Sequence, residues 1–336
     1  MDSSPGGGAA GALVQAPDER QLYALYKATM AGKTDEWEAQ LASDWGKYEK
    51  AMLKDGARIR DGLVADIQRL KDVDKVLQPE DLKTITAMRN KTDKDIWAWE
   101  SRQFERLRLW PSKDRKGELE VFNRAWEITD STGQTLVGKV REKIEEAAQD
   151  AGVDPEDVSD NWDSSHVASW ADNIIRAIEQ SSYQMSAHFL DATAGMNALA
   201  ALEETAEMFA PPAALLELSF KTHPRAAFRS GMGLIGRELE AASYVYFLPT
   251  AARADANPTG FGAQQHGKIR TARQWEGVRQ SLDHKRPGSY VWTTGFHIGD
   301  KGYLLPIPPR FAAGAVAFER RDRQKWIERV AKRKAG

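Results

Sequence analysis

The sequence predicts a mainly α protein, with long helical hairpins packed as a bundle and a small C-terminal α+β domain containing a β-hairpin. Three observations predict it. Up to about residue 220, apolar residues recur at spacings of three, four and seven, the period of helices that pack on other helices. From Lys221 the composition shifts to Gly, Pro, Arg and aromatic residues. The best hairpin chemistry, Ser289 to Pro306, falls in that last third. A length of 336 residues fits two domains. The expected boundaries are an arm over 1–16, a helical domain over 17–220, an α+β contact domain over 221–310 and a basic helix over 311–336.

The arm, MDSSPGGGAAGALVQ, has no basic stretch followed by an apolar one, so no secretory leader is expected. Asp18 and Gln21 have the spacing of a helix-starting cap pair. Leu22, Leu25, Tyr26 and Met30 would line one face of that helix, and Gly32 would end it. Thr34 would open a second helix carrying Trp37, Leu41, Trp45, Tyr48, Met52, Ile59, Leu63, Ile67 and Leu70. Pro79 with Glu80 and Asp81 starts a third, running through Leu107 and stopping before Pro111. Its crowding of Trp97, Trp99 and Phe104, with Trp110 beyond, has helical spacing and reads as core rather than as a base-stacking platform. A helix from Thr135 to Ala151 should stop at Gly152, and Asp154-Pro155 should start a short turn to Trp162. Ser164 and Ser165 can cap the next segment, with His166 and His188 as structural residues. The Ala- and Leu-rich segment 192–209 stops at Pro211-Pro212, and a further helix would end near Phe220.

In the last third, Leu234, Ile235 and Leu239 lead into a possible strand, Tyr244 to Phe247. Residues 251–263 read as an exposed loop, and Thr271 to Leu282 as a helix carrying Arg273, Trp275 and Arg279. Tyr290 to Thr294 and Tyr303 to Leu305 would pair through the turn Gly299-Asp300-Lys301-Gly302, with Pro306, Pro308 and Pro309 ending the ladder. The tail is a basic amphipathic helix with Phe318, Trp326, Ile327 and Val330 on its apolar strip.

The net charge of −2 conceals an asymmetry. Residues 221–336 hold 21 Lys/Arg and 9 Asp/Glu, a net of +12, which leaves −14 on residues 1–220. A basic third points to a polyanionic partner, or to attraction between the two halves. The candidate contact residues are Arg273, Arg279, Lys285, Arg286, Arg320, Arg321, Arg323, Lys325, Arg329, Lys332 and Arg333.

Motifs for catalysis are sparse. The absence of cysteine removes disulfides, thiolate metal sites and cysteine nucleophiles. Gly231-Met232-Gly233 with Gly236 lacks a preceding strand, there is no GxxxxGK[ST] loop, and no GxSxG elbow occurs. No cofactor or metal is expected. Asp283, His284, His297 and Asp300 are the one local cluster with acid–base or metal potential, with Lys285 and Arg286 to stabilise charge on a phosphodiester. A charged turn before Pro287 is the simpler reading, and no catalytic residue is expected.

Several segments of the last hundred residues resemble the head-morphogenesis or minor head proteins of tailed phages. They are Ile235-Gly236-Arg237-Glu238, Trp275, Asp283-His284-Lys285-Arg286, and Phe296-His297-Ile298-Gly299 through Leu305-Pro306. Where that family has a cysteine-containing end, this chain has Gly314-Ala315-Val316-Ala317. Ile307-Pro308-Pro309-Arg310 before a charged helix also resembles tail-completion and neck proteins. The resemblance implies a virion assembly protein. Its partners would be other virion subunits and packaged DNA, in a homo-oligomer or larger complex, in the virion or host cytoplasm and away from membranes. A nucleic-acid-cleaving effector using His284 and His297, and a cytoplasmic oligomeric adaptor, are the alternatives.

Overall fold

The structure, a computed structural model, describes residues 18–71, 79–107, 136–162, 174–187, 213–254, 256, 260–281 and 300–335. These form a mainly helical body with a small antiparallel sheet near the C-terminus.

Helix α1 spans Glu19–Lys71, roughly 80 Å at 1.5 Å per residue. Asp18 caps it, its Oδ1 accepting from the Gln21 N–H at 2.8 Å. The expected break at Gly32 does not occur. Thr34 turns its hydroxyl back to the Ala31 carbonyl at 2.8 Å instead of opening a new helix. The glycine costs about 1 kcal/mol relative to Ala. Burying Met30 and Trp37 on either side returns roughly 1.5–3 kcal/mol each. The inward face near the start is Tyr23, Tyr26 and Met30, whereas Leu22 and Leu25 point outward, Leu25 being 68% exposed. Further along, Trp37, Leu41, Trp45, Tyr48, Met52, Ile59, Leu63 and Ile67 are all buried, as their spacing requires.

Helix α2, Pro79–Leu107, is the expected third helical segment and lies antiparallel to the second half of α1; its expected stop before Pro111 lies outside the described residues. Lys91 reaches Asp66 at 2.6 Å, and Arg106 reaches the buried Asp55 at 2.6 Å. Trp99 and Phe104 are core, whereas Trp97 is 66% exposed. Helix α3, Leu136–Ala151, lies antiparallel to the first half of α1, with the buried pair Lys139 and Asp44 at 3.0 Å and Lys33 to Glu146 at 3.1 Å. Asp154 caps α4, Pro155–Asn161, and the chain reaches the buried Trp162. Helix α5, residues 174–187, packs on α2 through Ser186 to Asp93 at 2.7 Å and Ser182 to Glu100.

Helix α6, Ala213–Glu238, runs through Pro224 rather than ending near Phe220. An interior proline costs about 3 kcal/mol. Burial of Phe220, Ala227, Phe228, Met232 and Ile235 along the inward face offsets it.

After α6 come β1, Ser243–Phe247, the short helices α7, Thr250–Ala254, and α8, Phe261–Gln265, then β2, Ile269–Arg270. Helix α9, Ala272–Ser281, is followed by β3, Tyr303–Ile307, a 3-10 turn, Pro309–Phe311, and α10, Ala312–Ala335. The expected loop over 251–263 thus contains two short helices. Asp35 of α1 starts the first by accepting from the Thr250 N–H at 2.7 Å and its hydroxyl at 2.8 Å.

The sheet order is β2-β1-β3, all antiparallel, with Tyr244 opposite Arg270 and Val245 opposite Leu305. The described partner of β3 is therefore β1, and the expected strand Tyr290 to Thr294 lies outside the described residues. Pro306 does not end the ladder. Its carbonyl accepts from the Tyr26 hydroxyl at 2.9 Å, so that side of the residue faces α1, and the missing N–H is not needed by β1. Val245, Phe247, Tyr303, Leu305 and Ile307 join the main core, while Tyr244, Tyr246, Leu304 and Trp275 form a second cluster on the other face.

Two glycine substitutions test this packing by chemical denaturation. At Gly302 a Cβ would sit 2.0 Å from the Tyr246 ring, so Gly302→Ala should destabilise by about 1–3 kcal/mol or more. At Gly46, inside α1 with nothing within 4 Å of a Cβ, Gly46→Ala should stabilise by about 0.5–1 kcal/mol. Equal effects at the two positions would contradict the packing described.

Candidate functional site

The expected contact residues divide by element. Arg273 is exposed in the first turn of α9, a helix opened by reciprocal bonds between Thr271 and Gln274 at 2.9 and 3.2 Å. Arg320, Arg321, Lys325, Arg329 and Lys332 are exposed on α10, and Arg323 is half-buried. The side chains of Arg279 and Arg333, and residues Asp283, His284, Lys285, Arg286 and His297, lie outside the described residues, as do His166 and His188. Of the expected apolar strip on α10, Phe318 and Trp326 are half-buried, but Ile327 is 43% exposed.

Helix α10 is anchored by its acids. It runs parallel to the start of α1, where Glu319 accepts from the Tyr23 hydroxyl at 2.8 Å and from Lys27 at 2.9 Å. Lys27 also reaches Asp322 at 3.0 Å. Burial pushes the Glu319 carboxyl upward, against the pull of Lys27. Phe311, just before the helix, and Ala315 and Glu319 within it are buried, so one face of its first half packs on the core. Beyond it, Arg321, Lys325, Arg329 and Lys332 follow at steps of four, four and three, one helical face about 16 Å long.

The structure brings further residues to this region that the sequence reading did not select. His266 is buried between Phe247 and Trp326, at ring separations of 5.8 and 5.6 Å. Its Nδ1 accepts from the Leu248 N–H at 3.1 Å, which requires that nitrogen to be unprotonated. Burial first, then Arg253 and Lys27, hold its pKa down to about 3. Arg253 lies over Phe247 at 5.3 Å and donates to the Thr250 hydroxyl at 2.8 Å.

Lys268, just before β2, and Arg270, its second residue, flank Ile269, and both are half-buried. The Arg270 guanidinium stacks over Trp275 at 4.5 Å and donates to Gln265 Oε1 at 2.8 Å. Burial lowers the pKa of Lys268, and the nearby Arg323 and Arg270 lower it further. Burial and Arg323 do the same to Arg270. The only signal for this pair in the sequence is the alternation Lys-Ile-Arg, which is too short to stand out among the other basic residues.

Protein-family profiles, characterised proteins and solved structures give no match to this chain. Among the described residues, no group of three His, Asp or Glu is placed to hold a metal ion, and no helix is long and apolar enough to cross a membrane. Gly231 and Gly236 lie within α6, packed against Ile144 and Tyr244, so the GxGxxG-like spacing marks close packing rather than the turn of a phosphate loop.

The neutral His266 gives a pH prediction. Its folded pKa is depressed, so the unfolded state binds the extra proton. The stability held above pH 6.5 should then fall by about 1.4 kcal/mol per pH unit towards the folded value. Denaturation midpoints at pH 7 and pH 5 should differ more in the native chain than in His266→Asn, whose amide oxygen can still accept from Leu248. An equal difference in both chains would remove His266 as the cause.

Proposed function

We propose that the protein is a non-enzymatic virion assembly subunit of the minor-head type, whose helical body docks on other subunits and whose basic C-terminal face holds packaged DNA. The observation that carries the reading is the cationic stripe Arg321, Lys325, Arg329 and Lys332 on the outer half of α10. None of these four side chains pairs with a carboxylate among the described residues. Exposed cations at helical spacing fit the phosphate backbone, whose contacts position a protein without reading sequence. The body supplies a rigid mount through α1 and carries two exposed aromatic side chains, Trp97 on α2 and Tyr183 on α5, 66% and 73% exposed. Such aromatic side chains suit subunit contact.

Deleting the tail would open the core at Phe311, Ala315 and Glu319, so charge reversal at exposed positions is the cleaner test. The chain should bind duplex DNA at low salt with a steep salt dependence. Lys325→Glu, Arg329→Glu and Lys332→Glu together should weaken binding at least tenfold and reduce the salt slope by up to about 3. Mass spectrometry of particles from the source should find the chain among their proteins. An absence of DNA binding at low salt, or a triple variant that binds like the native chain, would overturn the DNA role.

A further inference from the structure

We propose that Lys268, Arg270 and Arg323 form a seat for one phosphate group of a nucleic-acid backbone, set inward of the exposed stripe on α10. The proposal rests on the reading of the basic face given above and names a second, more specific contact within it.

Three segments distant in sequence build the seat. Gly267, at φ +72°, brings the turn before β2 against α10, where a Cβ would lie 3.3 Å from Glu319 Oε2 and 3.5 Å from Arg323 Cβ. That approach sets Lys268 beside Arg323. The Gly267 N–H donates to the Tyr246 carbonyl at 2.9 Å, and the Tyr246 N–H to the Lys268 carbonyl at 3.1 Å, so the main chain here is fixed by β1. Lys268 immediately precedes β2 but is bonded to β1 through its carbonyl, so the extended chain puts it on the same face as Arg270, two residues on, while Ile269 packs against the main core. Arg270 is held by the Trp275 ring and by Gln265, a bond that uses one Nη1 hydrogen and leaves the other guanidinium N–H groups for a ligand.

The nearby acids are already engaged. Glu319 accepts from Tyr23 and Lys27, and Asp322 from Lys27. The three cations have no carboxylate partner among the described residues, and beyond the effect of burial the charge of Arg323 lowers the pKa of both Lys268 and Arg270. Half-burial of like charges is unfavourable in the empty protein and becomes favourable when an anion sits among them. An arginine pre-oriented by an aromatic ring beside a lysine suits the tetrahedral, multiply charged oxygens of a phosphate.

The test uses the full chain, inorganic pyrophosphate and a duplex DNA, with the double variant Lys268→Gln/Arg323→Gln set beside the triple variant of α10. Arg270 is kept because its contacts hold the start of α9. Calorimetry should show pyrophosphate bound equally by the native chain and the α10 triple variant, and at least tenfold more weakly by the double variant. Without anion, the melting midpoint of the double variant should equal or exceed the native one, since like charges have been removed. The double variant should also reduce the DNA salt slope by about 2. Undiminished pyrophosphate binding, an unchanged DNA slope, or a lowered midpoint in the double variant would each overturn the seat while leaving the DNA role of α10 standing. No DNA binding by the native chain would instead overturn the reading of the basic face, and with it nucleic acid as the source of the phosphate.

Discussion

The carboxylate of Glu38 is the constraint on which the meeting of body and sheet depends. It lies on α1 and accepts two bonds from Arg225 of α6, both at 2.7 Å, and one from the Tyr303 hydroxyl of β3. Burial alone would push its pKa up, but the bonds and charge of Arg225 hold it below the ordinary carboxylate range. Removing one partner of such a pair leaves an uncompensated charge and costs roughly 3–5 kcal/mol. Three elements are thereby fixed to one point. One turn further along α6, Arg229 donates to the carbonyls of Gly302 at 3.0 Å and of Asp300. The Asp300 carboxylate accepts from Tyr246 at 2.6 Å and from the Gly302 N–H at 2.9 Å. The approach to β3 is therefore set by polar bonds, and the apolar faces of the sheet fill in around them.

This arrangement explains which parts of the fold could be read locally. Asp154 and Thr271 start helices by chemistry confined to a few residues, and both starts are found as expected. Gly32, Pro224 and Pro306 carry equally clear local signals, and each is overridden by a distant contact. Met30 and Trp37 are buried against other elements, Arg225 is fixed to Glu38, and Tyr26 takes the Pro306 carbonyl. Strand composition at Tyr244 to Phe247 showed that a strand was possible, but its partners lie over twenty and over fifty residues away. No periodicity reports such a pairing.

The candidate site divides in the same way. Cations on α10 are legible because a helix repeats them at a regular interval, and the interval survives in the sequence. Lys268 and Arg270 are not, because β2 is two residues long and its relation to Arg323 exists only after Gly267 meets α10. His266 was visible as a histidine but not as a buried acceptor, since that role depends on the Leu248 N–H and on burial against Trp326.

Charge asymmetry along a chain could be cancelled by folding, with the basic third lying on the acidic body. Arg225 with Glu38 is a pair of that kind. The pairs at the other junction run the opposite way, for Lys27 of the acidic body engages Glu319 and Asp322 of the basic third. Those two carboxylates are turned inward, one of them buried, and are drawn from only nine Asp/Glu in residues 221–336. Their withdrawal leaves Glu328 as the one exposed acid of α10, beside the exposed Arg320, Arg321, Lys325, Arg329 and Lys332. Tyr23 and Lys27 therefore do two things at once. They anchor the helix through its acids, and by doing so they present its bases outward.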